Sequence, residues 1–361
     1  MDKILFLKKL DSFIGPLLVR FLSIFSSKKN CYSLTAFSNV LIIRPGGIGD
    51  AVLLLPTLQL FKKSFPDSTV YLLAEKRNAQ VFDLCEGLSA VWAYDCCADW
   101  KKFFFKKFDL IIDTEQSHFL SAVIARVLRA ELRCGFATNR RGDLFDRVAS
   151  YDQNAYEVES FFHLVNTVKN ITPAHFNPPF IRPESLMDIP FGGLDRIMPK
   201  NPYVVVFPGA SVADKRWPVE RFMELSERLN DTGYEIVIVG AGSDFDLSEQ
   251  IAGCCGGVNI AGKTSLPQVA RIISGAELFI GGDSGLMHLA VAVGGKTVSL
   301  FGPSNPAKWG PRGDKHRVIS LDLPCSPCSR FGTIPECHYD YRCIKEIAVS
   351  DVLRAVEGFL N

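Results

Sequence analysis

The sequence lacks an apolar run long enough to span a bilayer. Its most hydrophobic stretch, ILFLKKLDSFIGPLLVRFLSIFSSKK, is interrupted by Lys8, Lys9, Asp11, Pro16 and Arg20, whereas a transmembrane helix needs about 20 consecutive apolar residues. No small-residue cleavage site follows the stretch, which disfavours a secretory signal peptide. The pattern predicts an amphipathic helix that lies on a membrane surface or packs on the protein's own core.

An excess of charge of one sign is also missing. The chain has 40 Lys and Arg residues against 39 Asp and Glu, a net charge of +1, and without a basic field there is no reason to expect a nucleic-acid partner. The two halves differ, since residues 1–150 carry 21 basic and 15 acidic side chains and residues 151–361 carry 19 and 24. The basic first half fits either an anionic partner or ordinary surface variation.

The signatures of several enzyme classes are absent or misleading. There is no G-x-S-x-G elbow, so a Ser-His-Asp hydrolase is not indicated. Residues 257–264, GVNIAGKT, match the P-loop pattern, but residues 258–261 are predicted as a strand and Ser265 as the N-cap of the next helix, which excludes a continuous phosphate cradle. Asp244 and Asp246 have the D-x-D form, yet both carboxylates are predicted in the first turn of a helix, where the macrodipole favours them.

The eleven cysteines favour a reducing compartment, because their number is odd and several lie in predicted hydrophobic elements. Those of the C-terminal tail have the spacing C-x2-C-x8-C-x5-C. Since two thiols two residues apart can share one metal ion, four residues are candidate ligands of a structural metal site: Cys325, Cys328, Cys337 and Cys343. The loose spacing of the second pair favours free thiols in a loop instead.

Short β-branched runs alternate with amphipathic stretches from residue 40 onward, which is typical of βαβ units and a parallel sheet. After residue 172 comes a segment with seven prolines, and the alternation restarts at YVVVF, residues 203–207. We therefore predict an α/β protein with two Rossmann-like domains and a ligand cleft between them. The predicted parts are an N-terminal amphipathic helical segment (1–38), an N-terminal Rossmann-like domain (39–172), a Pro-rich linker (173–202), a C-terminal Rossmann-like domain (203–348) and a C-terminal helix (349–361).

Two strand-to-helix loops carry side chains suited to binding or catalysis. In RPGGIGD, residues 44–50, the glycines permit the close approach of another molecule, and Asp50 is predicted to cap the next helix while facing the cleft. Capping alone is the simpler interpretation of this loop. In PGASVADKRWP, residues 208–218, Ser211 and Lys215 precede a helix, where a lysine supplies a point charge for a phosphate.

A third loop, GGDSGLMHLA at residues 281–290, has the residues that an anion site at a helix N-terminus requires. Asp283, Ser284 and Gly285 form the predicted turn into a helix, and His288 lies in its first turn. Small residues at this turn let a pyrophosphate approach the helix N-terminus, and Asp283 can accept hydrogen bonds from hydroxyl groups. A lone histidine is more often structural than functional, but His288 lies about one turn from the candidate anion site.

Four stretches in the same order resemble glycosyltransferase family 9, the heptosyltransferases: RPGGIGDAVLLLPTL, FPGASVADKRWP, NIAGKTSL and GGDSGLMHLAVAVGGKTVSLFGPSNP. The resemblance covers residues 40–311. It implies the GT-B architecture, in which two Rossmann-like domains face across a cleft. It also implies transfer of L-glycero-D-manno-heptose from ADP-heptose to the inner core of lipopolysaccharide, with inversion and without an essential metal or other cofactor.

The resemblance also implies a role for each candidate residue, with the acceptor on the first domain and the nucleotide sugar on the second. Asp50 stands at the general base and Lys215 at the phosphate-binding lysine. The other implied donor contacts are Ser211 (diphosphate), Asp244 (ribose), Thr264 (adenine), and Asp283, Ser284, Gly285 and His288 (donor sugar and diphosphate). The implied partners are ADP-heptose, the lipopolysaccharide core with its lipid A, and the cytoplasmic face of the inner membrane, where the protein would be cytoplasmic and peripheral.

Three alternatives stay open on the sequence. A related glycosyltransferase with another nucleotide-sugar donor, and a UDP-sugar 2-epimerase of the same fold, would both use a similar donor site. A non-catalytic module that only binds a nucleotide sugar is the third, and the presence of Asp50 in the cleft-facing loop argues against it.

Overall fold

The protein consists of two compact units, Met1–Phe176 and Asn177–Asn361. A computed structural model describes residues 3–26, 36–169, 178–210 and 212–360. Each unit is built on its own six-stranded sheet. Within the described ranges, no helix combines the length and the apolar character needed to cross a membrane.

The first unit is a parallel α/β sheet. Its strands are β1 (Asn39–Arg44), β2 (Thr69–Ala74), β3 (Leu88–Ala93), β4 (Lys107–Asp113), β5 (Arg129–Phe136) and β6 (Arg147–Ala149). Its helices are α1 (Lys3–Ile24), α2 (Ile48–Ser64), α3 (Lys76–Phe82), α4 (Cys97–Phe103), α5 (Leu120–Val127) and α6 (Glu157–Asn166). The strand order is β3-β2-β1-β4-β5-β6, and all neighbouring strands are parallel.

The second unit repeats this arrangement. Its strands are β7 (Tyr203–Phe207), β8 (Glu235–Ile238), β9 (Val258–Asn259), β10 (Leu278–Gly282), β11 (Thr297–Phe301) and β12 (His316–Ser320). Its helices are α7 (Pro183–Met187), α8 (Val219–Asp231), α9 (Phe245–Cys255), α10 (Leu266–Ser274), α11 (Gly285–Ala292), α12 (Pro306–Trp309), α13 (Arg342–Lys345) and α14 (Val349–Leu360). The parallel order β12-β11-β10-β7-β8-β9 is that of the first sheet when the strands are counted from β7.

Both sheets are buried at their centres, as a parallel sheet covered on two faces must be. In β1, the side chains of residues 40–43 are at most 2% exposed, and in β7 those of residues 204–206 are fully buried. Such β-branched and aliphatic runs hide apolar surface on both sides of the sheet. The α/β class and the two Rossmann-like domains predicted from the sequence are therefore confirmed.

The predicted linker, residues 173–202, lies at the junction of the two units. Residues 170–177 fall outside the described ranges. From residue 178 onward the segment packs on the second unit, since the backbone N–H groups of Phe180 and Ile181 both donate to the carbonyl of Ala292. The domain boundaries given above stay a prediction.

Candidate functional site

In the second unit, Lys215 and Asp283 meet where the strand order reverses. Lys215 follows β7 and Asp283 follows β10, and these two strands are neighbours at the centre of the sheet, which is where ligands bind in doubly wound folds. The Lys215 Nζ donates a hydrogen bond to Asp283 Oδ2 at 2.7 Å, with side chains 14% and 9% exposed. His288 Nε2 lies 3.9 Å from Asp283 Oδ1. The structure thus brings together three predicted site residues.

The charge of Asp283 is set by these neighbours. Burial alone would raise the pKa of the Asp283 carboxyl, but Lys215 and His288 outweigh it and hold the pKa below its ordinary value. Asp283 is therefore an anion at neutral pH. Together with Lys215 it forms a nearly buried ion pair whose ammonium group is suited to a phosphate ligand.

The position of Lys215 is fixed by the loop that carries it. Trp217, 3% exposed, donates from its indole nitrogen to the carbonyl of Ile347 at 2.9 Å. On the other side, a Cβ added to Gly282 would lie 3.4 Å from the carbonyl oxygen of Lys215. The loop is thus held between the end of β10 and the segment before α14.

The N-terminus of α11 completes this edge of the sheet. Ser284 is its N-cap, with Oγ accepting from the N–H of Met287 at 3.3 Å, and Gly285 is the first helical residue. His288 lies in the first turn, 5% exposed, with its ring against Trp309. The predicted turn into a helix is confirmed, and its N–H groups present partial positive charge beside Lys215.

Asp244 and Thr264 lie in the loops after β8 and β9. The carboxylate of Asp244 accepts from the N–H of Ala241 at 3.0 Å and lies 3.5 Å from the Arg216 guanidinium. A Cβ added to Gly209 would come within 2.8 Å of this carboxylate, so only glycine permits the approach. The Thr264 Oγ1 is buried and has no hydrogen-bond partner among the described residues.

The rejection of a P-loop at residues 257–264 is confirmed. Val258 lies in β9, and α10 begins at Leu266. Ser265 caps α10 and forms a capping box with Gln268. The two glycines therefore flank a strand. Ser211, predicted beside Lys215, lies outside the described residues.

In the first unit, Asp50 does not cap α2, and that prediction is wrong. The helix begins two residues earlier, at Ile48, and its N-cap is Gly47, which has no side chain to donate or accept a hydrogen bond. Asp50 lies instead in the first turn, half-buried, where the helix dipole favours a carboxylate. A Cβ added to Gly47 would lie 3.5 Å from Asp50 Oδ2. Because residue 47 is glycine, no side chain at this position stands beside the Asp50 carboxylate.

Arg44, which the sequence analysis did not single out, lies beside Asp50. It is 1% exposed, and its guanidinium donates to the carbonyl of Thr114 at 2.8 Å and to Glu115 Oε2 at 3.2 Å. Burial opposes its charge, but Asp50 and Glu115 raise the pKa of Arg44 above its ordinary value. The sequence signal that could have identified Arg44 was its position at the end of β1, next to the loop that carries Asp50.

A second buried carboxylate extends this group. Glu157 is fully buried, bonded to the amide of Gln116 and to the hydroxyl of Tyr151, the latter at 2.8 Å. Residues 114–116 follow β4 and Arg44 ends β1, and β1 and β4 are paired. The carboxyl end of the sheet therefore holds a polar cluster: Arg44, Asp50, Glu115, Gln116, Tyr151 and Glu157.

The Arg44–Glu115 pair predicts acid sensitivity. Burial raises the pKa of Glu115, but Arg44 and other partners outweigh it and lower the pKa to about 2. A depressed pKa means that the stabilisation is present above the ordinary value of 4.5 and is lost as pH falls toward 2. The free energy of unfolding should fall between pH 7 and pH 3 in both proteins, but the fall should be about 2 kcal/mol smaller in Glu115→Gln than in the unmodified protein. Urea unfolding at both pH values measures this, and equal losses in the two proteins would contradict it.

The four tail cysteines all carry free thiols. Within the described part of the chain, no group of three or more His, Cys, Asp or Glu side chains is arranged so that it could hold a metal ion. Burial, followed by the neighbouring Cys328, Cys337 and Cys325, raises the pKa of Cys343 to about 11. The thiols are near one another, and a structural metal at Cys325, Cys328, Cys337 and Cys343 stays a prediction.

Comparison with known proteins adds to this geometry. The family model for glycosyltransferase family 9 (heptosyltransferase) matches residues 98–338. Lipopolysaccharide heptosyltransferase 1 of Pseudomonas aeruginosa is 26% identical over 314 residues, which cover 80% of this chain and 85% of that protein.

Two solved structures have the same fold. The structure of Escherichia coli ADP-heptose lipopolysaccharide heptosyltransferase II superposes with a TM-score of 0.72 at 22% identity, covering 89% of this chain and 98% of that one. E. coli heptosyltransferase WaaC with ADP gives 0.70 at 21% identity, covering 88% and 99%.

Proposed function

The chain belongs to glycosyltransferase family 9, the heptosyltransferases, and from this membership we propose that it moves heptose from ADP-heptose to the inner core of lipopolysaccharide. The protein is a glycosyltransferase. Its relative from P. aeruginosa bears the name lipopolysaccharide heptosyltransferase, and one similar structure is that of an ADP-heptose heptosyltransferase. Both names support the choice of donor and acceptor.

The observation that carries the donor assignment is the Lys215–Asp283 pair beside the N-terminus of α11. A diphosphate bound there would meet the ammonium of Lys215 and the N–H groups of the first helical turn, among them that of Gly285. Ser284 fixes that turn. Asp283 would accept hydrogen bonds from hydroxyl groups of the sugar, and His288 would donate one to the sugar or the diphosphate. Ser211 would be a further contact to the diphosphate.

The remaining donor contacts are assigned by position. In Asp244, one carboxylate oxygen bonds to the N–H of Ala241, and the other lies at a long 3.5 Å from Arg216, which leaves acceptor capacity for ribose hydroxyls. The Thr264 hydroxyl, which has no hydrogen-bond partner among the described residues, would bond to the adenine.

The proposed reaction inverts the anomeric carbon. Asp50 takes the proton from the acceptor hydroxyl as the hydroxyl oxygen bonds to the anomeric carbon and the bond from that carbon to the ADP oxygen breaks. Negative charge develops on the departing diphosphate, and Lys215 with the α11 N-terminus stabilises it. Because these groups supply the positive charge, the proposal needs no metal ion or cofactor.

The acceptor is a lipid-borne sugar, so the reaction belongs at a membrane surface. We place the protein as a peripheral enzyme at the cytoplasmic face of the inner membrane. The excess of basic side chains in residues 1–150 supports an anionic acceptor for the first unit.

The proposal is tested with purified protein, ADP-heptose and lipopolysaccharide that lacks core heptose. We expect ADP release and a heptosylated product only when donor and acceptor are both present. ADP release or an epimerised sugar from the donor alone would favour the epimerase alternative. Transfer from another nucleotide sugar, and none from ADP-heptose, would overturn the donor assignment.

Lys215→Ala should weaken ADP binding about 10- to 100-fold, because a charge-assisted hydrogen bond to phosphate is lost. Isothermal titration calorimetry with ADP measures the change. Lys345→Ala is the matched control, since Lys345 lies on the same unit with its side chain 44% exposed, and its affinity for ADP should equal that of the unmodified protein. Equal affinities for Lys215→Ala and the control would contradict the assignment.

A further inference from the structure

Helix α1 has an apolar face that the described residues of its unit leave uncovered. Four large side chains of α1 recur at spacings of three or four residues, and a fifth, Phe25, follows directly after the helix. Each is more than half exposed: Phe13 (83%), Leu17 (65%), Phe21 (59%), Ile24 (74%) and Phe25 (66%). We call these five residues the α1 face. Soluble proteins rarely leave so many large apolar groups together in water, and such patches mark interaction sites.

The α1 face points outward because the opposite side of the helix is fixed to α5. Asp11, 4% exposed, accepts hydrogen bonds from the backbone N–H groups of Phe119 and Leu120, at 2.9 and 2.7 Å. A Cβ added to Gly15 would come within 2.5 Å of the Phe119 side chain, so only glycine permits this packing, and Val19 is buried in the core. The rotation of α1 about its axis is therefore set by contacts that involve none of the exposed residues.

The C-terminal end of α1 is fixed as well, by Arg126, which donates to the carbonyl of Phe25 at 2.8 Å. Beside this contact lies a cavity of about 370 Å³, lined by Leu22 of α1, by Phe25 just after the helix, by residues 126–130 and by Arg133. Its lining combines three arginine side chains with apolar groups. This combination suits a phosphate that is attached to an acyl chain.

A second apolar and basic segment lies at the same edge of the sheet. Strands β4 and β5 begin side by side, with Lys107 paired to Arg129. Just before β4, Phe104 and Phe105 are 38% and 71% exposed, within the run KKFFFKK. Arg129, next to the cavity, is exposed too. Two separate segments of the chain thus bring exposed aromatic rings and cationic groups to one edge.

We propose that the α1 face, with Arg20, Arg126 and Arg129 beside it, is the surface by which the protein docks on an anionic lipid bilayer. The apolar side chains would enter the boundary between headgroups and acyl chains, and the guanidinium groups would bind lipid phosphates. The pattern of an apolar face flanked by basic residues is that of helices that lie in the membrane interface.

This docking surface deepens the proposed function, on which it rests for a lipid-borne acceptor. The N-terminal half of α1 bonds to residues 118–120, which follow the same strand, β4, as Glu115 and Gln116. A bilayer along α1 therefore runs beside the edge of the sheet that carries Asp50. A lipid-anchored acceptor would meet Asp50 by moving along the membrane plane.

Flotation of the full-length protein with vesicles tests the proposal. We expect binding to vesicles that contain phosphatidylglycerol, weaker binding in high salt, and little binding to phosphatidylcholine alone. The triple variant Phe13→Ser, Leu17→Ser, Phe21→Ser should lose about 100-fold or more in binding. Arg20→Gln with Arg129→Gln should lose about 5-fold per arginine. Met187→Ser, a 67% exposed apolar side chain of the second unit, is the control and should bind normally.

Two readouts separate this proposal from the proposed reaction. Because the three substituted α1 residues are exposed, the triple variant should keep the melting temperature of the unmodified protein and its rate of heptose transfer to a lipid-free, water-soluble core oligosaccharide. Absence of binding to anionic vesicles, or equal binding by the triple variant, would overturn the docking surface. The proposal would also be overturned if the unmodified protein were a dimer in solution and the triple variant a monomer. In that case a second copy of the chain would cover the α1 face.

Discussion

Asp50→Ala should lower the rate of heptose transfer about 10²- to 10⁴-fold, the usual contribution of a positioned general base. ADP binding should be unchanged, because the Lys215–Asp283 pair, the proposed donor site, lies in the other unit. Steady-state transfer assays and ADP calorimetry on the same preparation measure the two quantities.

Controls for Asp50 follow from its surroundings. Asp50→Asn keeps the size of the side chain and should be as slow as the alanine variant if proton transfer is the role. Asp67→Ala removes an exposed carboxylate just after α2 and should transfer heptose at the normal rate. Normal turnover by Asp50→Ala would refute the assignment of the base.

Arg44→Met should lower the free energy of unfolding by about 3–5 kcal/mol, because it removes the ion-pair partner of the buried Glu115 carboxylate. Chemical denaturation at pH 7 measures the loss. Combining Arg44→Met with Glu115→Gln should recover part of it, since the buried charge is then gone. Arg77→Met, which removes an arginine with a 37% exposed side chain from another ion pair, should cost less than about 1 kcal/mol.

The same substitution at Arg44 should also alter catalysis. The charges of Arg44 and Asp50 interact within the polar cluster. Without this cation beside Asp50, the rate of heptose transfer at pH 7 should fall, because the proposed base loses its charged neighbour. A normal transfer rate in the folded variant would limit Arg44 to a structural role.

Elements that are specified by their own residues could be predicted from the sequence. Strand β7 was predicted with its observed limits because YVVVF is continuously β-branched and aromatic. Ser265 was predicted as an N-cap because the side chain and the following Leu-Pro define a helix start within four residues. The P-loop match at residues 257–264 could be rejected from the sequence because the strand and the helix start that exclude it are encoded by adjacent residues.

The elements that escaped the sequence analysis depend on their neighbours. Strands β3 and β12 lie at sheet edges and have half-exposed residues, so they lack the continuous apolar runs of central strands. The cluster of Arg44 with Glu115 depends on the pairing of β1 with β4, which are separated by β2 and β3 in the chain. No spacing in the sequence encodes that pairing. Asp50 was wrongly predicted as the cap because the N-cap of α2 is Gly47, and glycine has no side chain that would mark the start of a helix.

The repeated strand order has an evolutionary consequence. Every strand of the first sheet precedes the junction of the two units, and every strand of the second follows it. Recombination between related genes at this junction would therefore break no strand pair and leave each sheet with all six of its strands. Each half of such a gene can then be exchanged or diversified as a separate module. Under the proposed assignment, the unit that binds the acceptor could change while the unit that binds the donor stays the same.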